Sequence, residues 1–146
     1  MEKRRCRAAA FIKGSTDVPR LTGTVTFTDT PEGVRVDAYV QGLPHNETGF
    51  YGFHLHDRGS CQLPDFQSAK GHYNPDGVPH PQHAGDFPML LATDRGQAWL
   101  SFITTRFGVC DVIGRAVVIH AQRDDYTSQP AGDAGARIGC GIIQPV

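Results

Sequence analysis

The sequence has no long hydrophobic run, no excess charge of either sign and no convincing helical periodicity. No stretch approaches the roughly 18 apolar residues of a membrane-spanning helix. Fourteen basic residues against fifteen acidic ones give a formal net charge of -1, which provides no electrostatic basis for binding nucleic acid. We therefore expect neither nucleic acid nor a membrane as a partner.

The start of the chain also lacks the apolar segment of a secretory signal. Basic residues at Lys3–Arg5 are followed by a short apolar run, Ala8–Ile12, which Lys13 ends at once. On this basis we expect a cytoplasmic protein. An exported origin stays open if a signal was removed from the chain.

Short segments in which apolar and polar residues alternate make up most of the chain and indicate half-buried β-strands. Residues 21–28 and 34–40 are clear examples, and Asp29–Gly33 between them contains the proline and glycine of a tight turn. These two segments are predicted to form a β-hairpin. Similar runs occur at residues 8–13, 49–56, 89–93, 98–104, 115–121 and 138–143.

About eight such strands predict one all-β domain over residues 1–146. The 17 glycines and 10 prolines are typical of many tight turns, and an antiparallel barrel or sandwich covers the faces of short strands. Residues 57–87 and 122–137 show little pattern. A loop of about 30 residues is uncommon in a compact domain, so something non-hydrophobic must hold the first one in place.

Histidines on the predicted strands share one orientation. His54 and His56 are two residues apart, so their side chains leave the same face of the strand. His120 has the same phase relative to the apolar residues Val117 and Ile119. One such histidine is usually a structural side chain, but three with the same phase indicate a shared site.

A second group of potential ligands lies in the first long loop. His72, His80, His83 and Asp86 place three imidazoles and a carboxylate within fifteen residues, a set that suits tetrahedral zinc. Zinc binding would supply the free energy that keeps the loop ordered. The alternative is a polar, histidine-rich surface loop, since short motifs give false matches.

Several ordered motifs together resemble the copper,zinc superoxide dismutase family. The resemblance extends from about Ala8 to Ile143 and is carried by Gly52–His56, Gly71–Pro75, His80, His83, Gly85–Asp86, Gly114–Arg115, His120 and Gly135–Gly141. It implies an eight-stranded antiparallel Greek-key β-barrel with two long loops that carry the metal site. It also implies an enzyme that converts superoxide to oxygen and hydrogen peroxide.

The resemblance implies a ligand set for each metal. The copper ligands would be His54, His56, His72 and His120. The zinc ligands would be His72, His80, His83 and Asp86, so that the imidazole of His72 bridges both ions. Copper would cycle between two oxidation states, whereas zinc has no redox chemistry of its own and would be structural.

Further roles follow from the same resemblance. Arg137 would position the superoxide anion and His72 would carry a proton, which makes these two residues the catalytic candidates. Asp124 would connect His54 with His80 behind the metals and fix the orientation of both rings.

The cysteines and the loop lengths are similar to those of the family's bacterial branch. A disulfide between Cys61 and Cys140 is implied, whereas Cys6 and Cys110 match no bridge of the family and are expected to be free thiols, with pairing between subunits a remote option. Residues 124–130 are shorter than the eukaryotic electrostatic loop, so that steering charges of that loop are largely missing. The region before Cys61, which helps form the dimer contact of the eukaryotic branch, is also short. This second difference implies a monomer or a homodimer unlike the eukaryotic one.

Two alternatives to the enzyme are open. A non-enzymatic copper-binding or copper-delivery module would keep the same fold, and a copper-only enzyme would have lost its zinc site. No ligand of either implied metal site is missing from the sequence, which favours the dismutase.

Overall fold

Antiparallel strands form nearly all of the regular structure. A computed structural model describes residues 5–146, and Lys3 and Arg4 of the basic start lie outside the described residues. The strands are β1 (Arg7–Gly14), β2 (Thr22–Thr30), β3 (Gly33–Gln41), β4 (Phe50–Tyr51), β5 (Phe53–His56), β6 (Leu90–Leu91), β7 (Ala98–Thr104), β8 (Ala116–His120), β9 (Arg137–Ile142) and β10 (Gln144–Pro145). A 3-10 turn spans Gln67–Ala69, and one short helix, α1, spans Val109–Val112. Within residues 5–146, no helix has the length and hydrophobicity needed to cross a membrane.

Eight strands belong to one curled antiparallel sheet. Its order is β5-β8-β9-β1-β2-β3-β7, and β10 pairs with β1 beside this path, while β4 and β6 form a separate two-stranded sheet. The chain crosses between the two edges of the large sheet from β3 to β5, from β5 to β7 and from β7 to β8. Such long connections are typical of Greek-key folds. The connection from β5 to β7 contains the first long loop.

Alternating residues of the strands supply the main core. Val25, Phe27, Val34 and Val36 on the inner face of β2 and β3 are at most 2% exposed. Each buried side chain of this size contributes about 1.5–3 kcal/mol relative to full exposure. On the β8 strand, Val117 and Ile119 also belong to this core, so the other face of the strand is free to meet the loops.

The first long loop has an apolar anchor of its own. Phe66 and Ala69 are fully buried in a small cluster with Ala116 and Val118 of β8 and the Cys61–Cys140 pair. The expectation that only a non-hydrophobic element holds this loop is therefore incomplete. The anchor was hidden in the sequence because two separated apolar residues in a loop have no periodicity.

The all-β architecture and the first hairpin are confirmed, and β2 pairs with β3 from Thr22↔Gln41 to Thr30↔Gly33. The large sheet is a half-barrel, because its edge strands β5 and β7 do not pair with each other within residues 5–146. The predicted strand 49–56 is divided at Gly52, and the one at 89–93 shrinks to two residues. The helix α1 was not predicted; four residues are too few to show a helical period.

All four cysteines form disulfides. Cys61–Cys140 joins the first long loop to β9, as the family resemblance implied. Cys6–Cys110 joins the residue before β1 to α1, so the expectation that Cys6 and Cys110 are free thiols is wrong. The carboxylate of Asp29 brings these distant segments together, because it accepts hydrogen bonds from Cys6 N (2.8 Å) and Val109 N (3.4 Å).

Candidate metal centre

Three candidate ligands lie on paired strands. His54 and His56 belong to β5 and His120 to β8, and these strands pair antiparallel with His54 opposite Val118. A register shift follows Ile119 in β8. The three histidines are at most 3% exposed. The shared phase predicted from the sequence thus corresponds to one buried cluster.

The first long loop runs beside β5 and adds its own ligands. Isolated β-bridges pair His54 with Asp86 and His56 with His72. The carbonyl oxygen of Gly85 accepts a hydrogen bond from Leu55 N at 2.8 Å. A side chain at Gly85 would place its Cβ only 2.3 Å from the Leu55 carbonyl oxygen. Glycine at this position therefore allows the loop to approach the strand closely.

Four imidazoles converge in the first half of the centre. His54, His56, His72 and His120 present nitrogens that lie within 4.8 Å of one another, and the Nε2 atoms of His56 and His120 are 3.3 Å apart. His54 Nδ1 and His72 Nε2 are buried without a hydrogen-bond partner in the described chain. Buried polar atoms without partners are costly, so these lone pairs mark a site for a cation.

The opposite nitrogen of each strand histidine has an oxygen partner. A carboxylate or carbonyl oxygen accepts the ring N–H and leaves the nitrogen that faces the cluster with its lone pair. These partners are Asp124 Oδ2 for His54 (2.7 Å), Lys70 O for His56 (2.7 Å) and Gly135 O for His120 (3.3 Å).

The second half of the centre is built around the carboxylate of Asp86. His72 Nδ1 lies 2.8 Å from Asp86 Oδ1 and 3.1 Å from His83 Nδ1. Asp86 Oδ2 lies 3.0 Å from His80 Nδ1 and 3.2 Å from His83 Nδ1. Four ligands arranged tetrahedrally around zinc are separated by about 3.3 Å, given metal–ligand distances near 2.0 Å. The observed spacing therefore fits a single tetrahedral ion.

His80 and His83 both belong to the second set of donors. His80 Nδ1 is close to Asp86 but has no partner in hydrogen-bond geometry among residues 5–146, which is expected of atoms that face a common ion. His54 also lies within 4.8 Å of His72, His80 and Asp86. His83 fits the second set better because its Nδ1 lies within 3.2 Å of two other donor atoms.

The protonation states suit metal binding. Burial lowers the pKa of His54 and His56 well below the usual range, with the neighbouring His120 acting in the same direction, and burial lowers the pKa of His120 to about 3. Burial raises the pKa of Asp86, but bonding to His72 and its neighbours outweighs burial and leaves that pKa below its usual value. Neutral imidazoles and an ionised carboxylate are the forms that bind metals.

Asp124 connects the two halves from behind. Its Oδ2 meets His54 Nε2 at 2.7 Å and its Oδ1 meets His80 Nε2 at 2.8 Å. Gly132 packs directly against this carboxylate with φ of +69°, and a Cβ there would lie 1.8 Å from Asp124 Oδ1. The position of this carboxylate therefore requires glycine at position 132.

Arg137 lies opposite His120 in the pairing of β8 with β9. Its Nη1 donates a hydrogen bond to Phe66 O at 3.1 Å, and the side chain is half-buried. Burial lowers the pKa of Arg137 while Asp65 opposes that shift. Arginine nevertheless stays charged at neutral pH, so a fixed cation stands beside the histidine cluster.

Several residues of this region were not found from the sequence. They include Gly132, the carbonyl group of Lys70, and two side chains that form hydrogen bonds with backbone groups between His80 and His83, Arg106 and Gln129. None of them carries a local pattern that points to a metal site. Their roles depend on contacts between segments far apart in the chain.

The donor set fits copper in the first half and zinc in the second. Imidazole ligands suit both ions, whereas a set of three nitrogens and one oxygen in a tetrahedron is typical of zinc. His72 has one nitrogen for each half. Its Nδ1 lies beside Asp86 in the second half, and its Nε2 is buried without a hydrogen-bond partner in the described chain, which leaves it for the first half.

Known proteins are similar to this chain in sequence. The chain matches the sequence profile of the copper/zinc superoxide dismutase family (SODC) over residues 21–143. Cu-Zn superoxide dismutase 2 of Aquifex aeolicus is 41% identical over 136 residues, which cover 84% of this chain and 78% of that protein. The Cu-Zn superoxide dismutase of Deinococcus radiodurans is 38% identical over 148 residues, which cover 87% of this chain and 79% of that protein.

Solved structures share the fold. The Cu/Zn superoxide dismutase of Brucella abortus superposes with a TM-score of 0.79 at 26% identity, over 93% of this chain and 98% of that one. A double mutant of a SOD-like protein from Bacillus subtilis gives a TM-score of 0.78 at 30% identity, over 91% and 94% of the two chains.

The fold and the site together define a class of two-metal proteins. In this class, a curled antiparallel sheet carries a histidine-rich centre whose two halves share one imidazole. The profile match and the relatives identify the member of that class: the chain belongs to the copper/zinc superoxide dismutase family.

Proposed function

We propose that the protein dismutates superoxide to oxygen and hydrogen peroxide at a centre of one copper and one zinc ion. The observation that carries this proposal is the shared histidine: His72 offers Nε2 to one cluster of donors and Nδ1 to the other. Family membership supports the same activity and the same two metals.

The ligands follow from the spacing of the donors. We assign copper to the four converging imidazoles, His54, His56, His72 and His120. We assign zinc to the set around the carboxylate of the first long loop, His72, His80, His83 and Asp86. Asp124 holds one ligand of each ion through its two oxygens.

Bound copper supplies the one-electron oxidation and reduction that dismutation requires, since zinc has no redox chemistry. Arg137 attracts the superoxide anion and orients it, because its guanidinium is a permanent, half-buried cation beside His120. His72 Nε2 is the atom at which we place the proton that is delivered to the product. No hydrogen-bond partner within residues 5–146 competes for that atom.

The two alternatives have less support. A copper-binding or copper-delivery module has no need of Arg137 beside the histidine cluster. A copper-only enzyme would not preserve four donors at the spacing of a tetrahedral zinc site. Every residue that we propose as a ligand is present in the sequence.

The two disulfides bear on where the protein works. Disulfides persist mainly in oxidising compartments, and both pairs are formed here. We therefore propose an exported origin rather than the cytoplasmic location expected from the sequence. The location of the protein stays a prediction. The expected monomer, or homodimer unlike the eukaryotic one, also stays a prediction.

Metal content and superoxide consumption, measured on the same sample, test the function. After reconstitution with copper and zinc, we expect one ion of each per chain and fast consumption. His120→Ala should lose copper and activity, whereas His45→Ala, which changes the exposed histidine outside the centre, should keep both. Stoichiometric metal without superoxide consumption would favour the copper-binding module, and failure to retain either ion would contradict the assignment of the centre.

A further inference from the structure

The segment from His80 to His83 has no strand or helix to support it. It nevertheless contributes two of the four zinc-site donors. Side chains from two distant parts of the chain bind its backbone groups. We refer to these two side chains, Arg106 and Gln129, as the clamp.

Gln129 holds the His80 end of the segment. Its Oε1 accepts a hydrogen bond from His80 N at 2.9 Å, and its Nε2 donates one to His80 O at 2.7 Å. The primary amide thus satisfies both backbone groups of one residue, as a neighbouring strand would. The second long loop is in this way fixed to the first one at a candidate ligand.

Arg106 holds the other end of the segment. It follows β7, and its Nη1 donates to Pro81 O at 2.9 Å and to His83 O at 3.0 Å. A charged donor makes stronger hydrogen bonds than a neutral one. The two carbonyl groups are therefore held toward one guanidinium, which fixes the direction of the backbone between the two candidate histidines.

We propose that Arg106 and Gln129 are positioning residues that hold His80 and His83 in their ligating arrangement before zinc binds. This inference rests on the proposed function and adds to it a source of zinc affinity within the chain. Metal binding to an unstructured loop must offset the cost of ordering that loop. The clamp orders the backbone in advance and lowers this cost.

Apolar contacts hold the first long loop on both sides of the clamped segment. Phe66 and Ala69 anchor its early part, and Ala84 and Phe87 are buried in the main core. The backbone between these anchors, around Pro81, is held by polar contacts from outside the loop. Arg106 and Gln129 are themselves exposed, so their effect on global stability should be small while their effect on zinc binding is large.

Zinc retention by the copper- and zinc-loaded protein tests the proposal. Titration with a chromophoric zinc chelator should show that Arg106→Met and Gln129→Leu each weaken zinc binding by about 10-fold or more, as loss of a group that orients ligands commonly does. Arg106→Lys keeps a cationic donor and should give an intermediate loss. Copper retention and the Tm of the metal-free protein should change little in all three variants.

Two variants serve as matched controls. Arg95→Met removes an exposed arginine whose side chain makes no hydrogen bond within residues 5–146, and Gln82→Leu changes an exposed glutamine inside the clamped segment. Both should bind zinc like the unchanged protein. In the metal-free protein, the backbone amide hydrogens of His80 and of residues 82–86 should exchange faster in the clamp variants than in the controls.

The possible results separate the two proposals. Loss of zinc from the clamp variants, with copper retention and Tm preserved, supports the clamp. Zinc binding equal to that of the controls overturns it, and so does a parallel loss of zinc, copper and Tm, which would indicate general destabilisation. If the unchanged protein itself retains no zinc, the proposed function fails, irrespective of the clamp.

Discussion

Each candidate copper ligand on a strand has an oxygen partner at one ring nitrogen, and its other ring nitrogen faces the cluster. His56 donates to a backbone carbonyl and His54 to a carboxylate, so rotation of either ring would break a buried hydrogen bond. Leaving a buried polar group without its partner costs about 1–3 kcal/mol. The rings are therefore oriented by the chain itself.

Arg137 is the residue whose role is most directly tested by substitution. Arg137→Gln should lower kcat/KM by about 10-fold or more, because a fixed cation near the site raises the local concentration of an anionic substrate. Copper and zinc content should stay the same. The measurement is superoxide consumption at low and high ionic strength, since the attraction is screened by salt.

The comparison variant is Arg20→Gln, which removes an exposed arginine before β2 and should leave the rate unchanged. The rate of the unchanged protein should fall as salt is added, and that of Arg137→Gln should fall less. Equal rates for Arg137→Gln and the unchanged protein at low salt would contradict a substrate-positioning role.

At the scale of elements, strand position was predictable wherever alternation continued for seven residues or more. The predicted segments at 34–40 and 98–104 correspond to Gly33–Gln41 and Ala98–Thr104. Boundaries were missed where irregular pairing overrode the pattern, as at Gly52, whose carbonyl oxygen accepts a hydrogen bond from His120 N. Local sequence contains no information about such a contact between segments.

The candidate site shows the same limit. His54, His56 and His120 could be grouped from the sequence because strand phase is local. The positions of His72, His80, His83 and Asp86 in a loop could be grouped only by ligand chemistry and by family resemblance. The pairing of Cys6 with Cys110 could be predicted neither from local periodicity nor from family resemblance. It depends on Asp29, which brings the start of β1 and α1 together.

The Cys6–Cys110 disulfide can be tested by counting thiols. The protein denatured without a reductant should show no reactive thiol, because all four cysteines are paired. In the double variant Cys6→Ser/Cys110→Ser, the free energy of unfolding should be about 2–4 kcal/mol lower, since the bridge closes a long loop of the unfolded chain. Chemical denaturation under non-reducing conditions measures this difference.

The double variant keeps the Cys61–Cys140 bridge, so its zinc and copper content should match that of the unchanged protein. Two reactive thiols in the denatured protein that are absent from the double variant would show that Cys6 and Cys110 are unpaired. An unchanged free energy of unfolding in the double variant would show that the bridge does not stabilise the fold.

At the scale of the whole molecule, the half-barrel places the two long loops over the same face of β5 and β8. Burial of the histidine cluster is a consequence of this arrangement, since the strands alone would leave that face exposed. The loops therefore determine how easily the imidazoles take up protons, and the stability of the metal-free protein should depend on pH.

Burial lowers the pKa of His54, His56 and His83, and lowers the pKa of His120 to about 3. In the unfolded chain these histidines take up protons near pH 6.5. Between about pH 6.5 and pH 3 the unfolded chain therefore binds more protons than the folded one, and the free energy of unfolding falls as the pH falls. Above this window, the buried histidines are neutral in both states and add no pH dependence.

Thermal unfolding of the metal-free protein at a series of pH values measures this effect. The Tm should be nearly constant from pH 8 to pH 7 and should fall steadily from pH 6.5 toward pH 4. His120→Gln removes one of the depressed groups and should make the decline shallower. A Tm that does not change between pH 7 and pH 4 would mean that the cluster takes up protons as readily in the folded protein as in the unfolded one, and that the loops do not shield it from water.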